Sequence, residues 1–169
     1  MSNKTSERAT YQIVFSAAIA AIYTVLTMIF APVSFGPVQF RVSEALCILP
    51  FFSPAAIPGL FIGCLLSNFL CGAAALDVIF GSLATLIGAI GSYKLRKYRW
   101  LVCVPPILAN TIIIPWVLRY AYGSEDFIWY AMLTVGIGEI LAIGVLGNLL
   151  LGVLNSYKHI LFGRFLSEK

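Results

Sequence analysis

Apolar residues run along this chain in blocks of roughly 20, a length that spans a bilayer. Short polar stretches separate the blocks. The pattern predicts helices over about residues 10–31, 41–52, 55–72, 75–94, 101–121 and 127–155. We therefore expect an all-α integral membrane protein with six transmembrane helices, folded as one domain over residues 1–169. The first apolar block follows Lys4 and Arg8 and so imitates a signal peptide. It exceeds a typical signal core and precedes further spans, so it reads as a retained helix. The second span is short: about 12 residues at ~1.5 Å rise cover only about 18 Å of a roughly 30 Å hydrocarbon layer. Ahead of it, Ala31 to Phe40 contains Pro32, Gly36 and Pro37 and lacks helix signals. Irregular backbone at membrane depth needs protein or a water-filled cavity around it. A loop folding over an outward-facing cavity is expected there, with Arg41 at its base.

Charge sets the orientation. Lys4 and Arg8 precede the first span, Lys94, Arg96, Lys97 and Arg99 join the fourth and fifth, and Lys158, Arg164 and Lys169 follow the sixth. All three clusters fall on one side, which the positive-inside rule makes cytoplasmic, with both termini there. Glu125 and Asp126 lie in the opposite loop. Composition agrees with this class: 60% of the residues are hydrophobic and 11% charged, which excludes an ordinary soluble core.

The few polar residues inside the spans are then the candidates for function. Arg41 and Glu44 are three apart, so an α-helix puts both on one face. Gln39, Asn68, Asp77, Asn110 and Glu139 collect with them toward the outer half and the midplane. Carboxylates accept and arginine donates, so the set suits a small ligand rich in donors and acceptors. Structural readings stay open for most of them. Arg41 and Glu44 can pair with each other, Asp77 can favour a helix N-terminus, and Asn68 and Asn110 can join helices. Glu139, flanked by Gly136, Gly138 and apolar residues, has no local cation. Arg119 lies about 180° around the helix from Asn110 and is expected to snorkel at the outer boundary. Phe35, Phe40 and Trp116 are candidate stacking surfaces or packing residues.

Small residues four apart mark close helix contacts: Gly59, Gly63 and Ser67; Gly81 and Thr85; Gly144, Asn148 and Gly152. Ala17 and Ala21 share this spacing, either for packing inside the bundle or for docking another membrane subunit. Cys47, Cys64, Cys71 and Cys103 sit in apolar segments without CxxC spacing and read as small buried hydrophobes. The single histidine, His159, falls beyond the last span. There is no P-loop, HExxH or GxSxG pattern. We expect no catalytic residues, no metal, no cofactor and no nucleic-acid partner, and expect any energy coupling to reside in another subunit. The rival to such a subunit is a free-standing secondary transporter for a small polar heterocycle or vitamin, with Glu139 as its protonation site.

Three runs carry a resemblance: VQFRVSEALCILPFFSPAAIPGLFIGCLLSN, LDVIFGSLATLIGAI and VGIGEILAIGVLG. From about Ala17 to Leu154 the chain resembles the queuosine-precursor transporter family, whose members resemble the substrate-binding S components of energy-coupling factor transporters. The resemblance implies a six-helix plasma-membrane subunit that works with a transmembrane coupling protein and two cytoplasmic ATPases. It implies that Ala17 and Ala21 meet the coupling protein and that the loop after the first helix covers the ligand. The implied cargo is a 7-deazaguanine or queuine. Glu44 and Glu139 are its expected carboxylate contacts, then Asp77, with Arg41, Asn68 or Gln39 serving the ring carbonyl and nitrogen.

Overall fold

A computed structural model describes residues 2–34 and 40–158. The expected positions Phe35, Gly36, Pro37, Gln39, His159, Arg164 and Lys169 lie outside them. Every element among the described residues is helical. In order these are α1 (Ser2–Ile29), the single turn α2 (Ala31–Ser34), a 3-10 helix (Val42–Phe51), α3 (Ala56–Leu70), α4 (Ala75–Lys94), a 3-10 turn (Arg99–Leu101) and α5 (Val104–Tyr122). The last block is α6 (Ile128–Glu139), a π-helical segment (Ile140–Gly147) and α7 (Asn148–Ser156), which follow one another without a break.

Four stretches are long and apolar enough to cross a membrane: Ser6–Ile29, Ala75–Lys94, Arg99–Tyr122 and Ile128–Ser156. Val42–Phe51 and Ala56–Leu70 are shorter apolar helices. The surface supports the same class, because Phe69, Trp100, Phe127 and Leu149 are each more than 60% exposed while Arg41, Glu44, Asp77 and Glu139 are buried. A soluble domain places these types the other way round.

The structure corrects several expected boundaries. The first helix starts before residue 10, at Ser2. Part of the expected loop after it is the helical turn Ala31–Ser34. The second span is not an α-helix: its backbone follows the 3-10 path, beginning with Glu44 N–H to Arg41 O at 3.0 Å. At ~2.0 Å rise its ten residues reach about 20 Å, further than α-helical geometry allows. Pro50, inside it, has no N–H to give. The fifth α-helix starts at Val104, after the 3-10 turn, with prolines in its first turn, where their missing N–H costs nothing. Gly123 ends it in the left-handed conformation, φ 65°.

Packing follows the chain order. α3 lies against α4, α4 against α5, α5 against α6, and α1 against α3. The 3-10 helix runs through the middle and touches α1, α3, α4, α7 and the π-helical segment. One apolar core surrounds it, including Ile19, Ile48, Leu60, Ala89, Ile143 and Leu151. Gly59 and Gly63 do bring helices together, as their spacing predicts. A Cβ on Gly59 would lie 2.5 Å from Ser16 O, and one on Gly63 would lie 2.8 Å from Tyr23 Cβ. The expected contact at Gly144 and Gly152 is looser, with nearest neighbours at 3.6 Å and 3.5 Å. The close approach is at Gly147, which faces Ile48 and the Ala45 carbonyl of the 3-10 helix.

Gly59→Val is expected to destabilise the protein by about 1–3 kcal/mol, the usual cost of overpacking. Gly144→Ala is expected to leave it within ~0.5 kcal/mol of the parent. Thermal unfolding in detergent micelles checks both; equal midpoints for the two variants would contradict the α1–α3 contact.

Candidate functional site

Arg41 is the last extended residue before the 3-10 helix (φ −95°, ψ 103°). Three residues per turn then bring Arg41, Glu44 and Cys47 to one edge, since positions three apart eclipse in a 3-10 helix. In the interior this edge meets side chains of α1, α3, α4 and α6. Glu44, only 1% exposed, accepts at Oε1 from the Tyr23 hydroxyl of α1 (2.5 Å) and at Oε2 from the Cys47 thiol (3.0 Å). Thr85 of α4 places its hydroxyl 3.4 Å from Glu44 Oε1, 3.3 Å from Cys64 Sγ and 3.1 Å from Gly81 O. One proton serves three acceptors there, so its share to Glu44 is small. A second link joins α1 to this region: Thr27 lies 2.7 Å from the Ser43 hydroxyl.

Beside this group lies a second one. Arg41 Nη2 is 3.5 Å from Asp77 Oδ2, and Arg41 also feels the charge of Glu44. Asp77 occupies the first turn of α4, where the exposed N–H groups and the helix dipole favour an anion. Tyr122, at the end of α5, donates to Asp77 Oδ2 at 3.0 Å and accepts from Ala74 N–H at 3.1 Å. Asn68 of α3 donates from Nδ2 to the Asp77 carbonyl at 3.2 Å. A Cβ on Gly81 would sit 2.9 Å from Asp77 Oδ1 and 3.1 Å from Asn68 Nδ2.

Glu139 closes the third side from the end of α6. It is 3% exposed, and the Asn110 side chain of α5, also 3% exposed, lies within hydrogen-bonding reach of it. Glu44 and Arg41 act on it electrostatically. Three acceptor atoms in these groups have no hydrogen-bond partner among the described residues: Asn68 Oδ1, Asp77 Oδ1 and Glu139 Oε2. Burying such atoms without a partner costs about 1–3 kcal/mol each.

The structure therefore gathers Arg41, Glu44, Asn68, Asp77, Asn110 and Glu139, all expected from sequence, and Gln39 lies outside the described residues. Arg41 meets Asp77, a partner the sequence reading did not assign to it. Asn68 joins helices through its amide nitrogen while its oxygen stays unpartnered. Tyr23, Thr85, Gly81, Cys47, Cys64 and Tyr122 were missed. Cys47 and Cys64 are buried in the apolar core, as their sequence context predicts, and also touch the polar cluster, while Gly81 and Thr85, whose spacing predicts a packing face, border the same cluster. The three-residue spacing of Arg41, Glu44 and Cys47 was the available signal. Cys71 and Cys103 are only partly buried. Trp116 is 44% exposed and stacks on Tyr120 at 6.3 Å, on the outer surface, so it offers this cluster no stacking face. Phe40 packs against the apolar core. Arg119 is exposed while Asn110 is buried, as their half-turn separation predicts.

Away from the cluster, Ala17 and Ala21 are exposed and so do not pack inside the bundle. They line an apolar groove of about 800 Å³ between α1 and α3, together with Ser16, Pro58, Ile62 and Leu66.

Replacing Asp77 with Asn is expected to destabilise the protein by roughly 3–5 kcal/mol, because it leaves a buried guanidinium poorly matched. Arg41→Met with Asp77→Leu together should recover much of that loss. Chemical unfolding of the three variants checks this; a double variant as unstable as Asp77→Asn would contradict the pairing.

The QueT transporter family model matches residues 13–156, most of the chain, and the chain belongs to that family. The chain is 48% identical over 80 residues to the queuosine precursor transporter QueT of Lactococcus lactis subsp. cremoris (strain MG1363). That match covers 46% of this chain and 47% of the relative, about half the length of each. No solved structure matches the chain. Family and apolar helices together make this a multi-pass membrane protein.

Proposed function

We propose that this member of the QueT transporter family is the substrate-binding subunit of an energy-coupling factor importer. It captures a queuosine precursor, a 7-deazaguanine or queuine, from outside and delivers it inward. The observation that carries the reading is the buried cluster of Arg41, Glu44, Asn68, Asp77 and Glu139, with three unpartnered acceptors. Charges inside a membrane bundle are costly and mark substrate paths or paired sites. A guanine-like edge carries adjacent N–H donors beside a carbonyl, which carboxylate oxygens and Arg41 complement. The name of the Lactococcus relative points to the same class of cargo.

Six membrane segments with both termini cytoplasmic accommodate the cluster in the outer half. Their support is the distribution of Lys and Arg between the spans. The 169 residues carry no P-loop, so the energy comes from two cytoplasmic ATPases through a transmembrane coupling protein. The exposed Ala17 and Ala21 groove suits that partner, since small residues let helix backbones approach closely. Cargo binding and partner docking thus use different surfaces of the chain.

Titration of the purified protein should show tight binding of 7-deazaguanine precursors and none of riboflavin, biotin or thiamine. The reverse pattern would sink the reading. Ala17→Trp with Ala21→Trp should abolish uptake into vesicles holding the coupling protein and ATPases while leaving precursor affinity within about twofold. Uptake that persists in vesicles lacking the ATPases would replace this reading with the free-standing carrier.

A further inference from the structure

The carboxylates of the cluster are not equivalent, and their partners divide the work. Glu44 has donors on both oxygens, the Tyr23 hydroxyl and the Cys47 thiol, and Thr85 stands at 3.4 Å. Neither oxygen of Glu44 is therefore left without a donor, in contrast to the other two carboxylates. Asp77 Oδ2 is held by Arg41 and the Tyr122 hydroxyl, which leaves Oδ1. That oxygen and Asn68 Oδ1 have no partner among the described residues, and Gly81 lies against the same two side chains, where a Cβ would come within 2.9 Å of Asp77 Oδ1 and 3.1 Å of Asn68 Nδ2. Glu139 differs from both. Its neighbour Asn110 is a neutral amide, the cation that acts on it is engaged with Asp77, and Oε2 has no partner among the described residues.

We infer that Glu139 is the counter-ion for a positively charged arm on the cargo, with Asp77 Oδ1 and Asn68 Oδ1 accepting from neutral N–H groups of its ring. Glu44 is a positioning residue, fixed by α1 and the 3-10 helix. The site accordingly selects a precursor bearing a protonated amine over a neutral precursor with the same ring. Asn68 Oδ1, Asp77 Oδ1 and Glu139 Oε2 are acceptors, so a ligand that satisfies them must bring donors. The cluster holds three carboxylates against one arginine, and a cationic ligand offsets part of that excess. A charge-assisted contact in a dry site is roughly twice as strong as a neutral one. A protonated Glu139 would instead donate to the cargo and would favour a neutral acceptor arm. This inference rests on the cluster being the cargo site.

The test compares two probes on the full chain by calorimetry: 7-deazaguanine with an aminomethyl arm, and the same ring with a nitrile. The parent protein is expected to bind the amine about 10- to 100-fold more tightly, the ratio of one charge-assisted contact. Glu139→Gln should reduce that ratio to near one by weakening the amine alone. Glu44→Gln should weaken both probes by the same factor. Equal binding of the two probes by the parent, or preference for the nitrile, overturns the inference without touching the proposed function. Equal weakening of both by Glu139→Gln also overturns it. If neither probe binds the parent, the proposed function fails and the inference with it. The comparison of probes on the parent needs no variant to fold.

Discussion

A buried charge in a bundle surrounded by lipid has only the protein to answer it, and the contact between Arg41 and Asp77 is where this fold meets that demand. Withdrawing either ion from water costs several kcal/mol even after relaxation, so the two must arrive together. Three segments are placed by the requirement. Arg41 stands where the extended chain turns into the 3-10 helix. Asp77 stands in the first turn of α4, the end of a helix that favours an anion. Tyr122 brings the last turn of α5 onto the same carboxylate and caps Ala74 N–H as well. A displacement of Arg41 or of the first turn of α4 would strand a charge, and a displacement of the end of α5 would remove a donor from Asp77.

The two irregular helices serve the same interior. In an α-helix residues three apart drift by about 60°, so Arg41, Glu44 and Cys47 would fan outward across the surface. The 3-10 path stacks them, and Cys47 donates to Glu44 as a result. Long 3-10 runs are uncommon because their hydrogen bonds are poorer; here neighbours on several sides hold the run in place. The π-helical segment that follows Glu139 packs on this 3-10 helix, and Gly147 makes the approach close. Both departures from α geometry thus sit directly beside a buried carboxylate, and π-type geometry is frequent at functional sites.

The sequence made the membrane class and most segments legible because hydropathy acts over a whole span and survives errors at its ends. α4 was read to the residue, since Lys94 and the basic run after it mark where lipid stops. The 3-10 helix was not legible, because charged residues three apart fit either helix and the choice depends on what surrounds them. The site was read through its charges alone. Arg41, Glu44, Asp77 and Glu139 stand out against apolar neighbours, whereas Tyr23, Thr85 and Cys47 have side chains that ordinary packing also uses. Gly81 could not be separated from a helix-packing glycine, since both uses need only a missing Cβ.

α1 shows how tightly the outer surface and the interior are joined. Its buried stripe runs through Ile19, Ala20, Tyr23, Thr24 and Thr27, while Ala17 and Ala21 face outward on the same two turns. Gly59 and Gly63 hold α1 against α3 at backbone distance, so α1 has no slack in which to move alone. Tyr23 and Thr27 carry its position to Glu44 and Ser43. Anything that shifts α1 from the groove side therefore alters the donors on Glu44, and anything that draws on Glu44 pulls on α1. The link to Glu44 itself runs through the Tyr23 hydroxyl, whose removal leaves the phenyl ring to fill the core, so Tyr23→Phe separates that link from the packing that surrounds it.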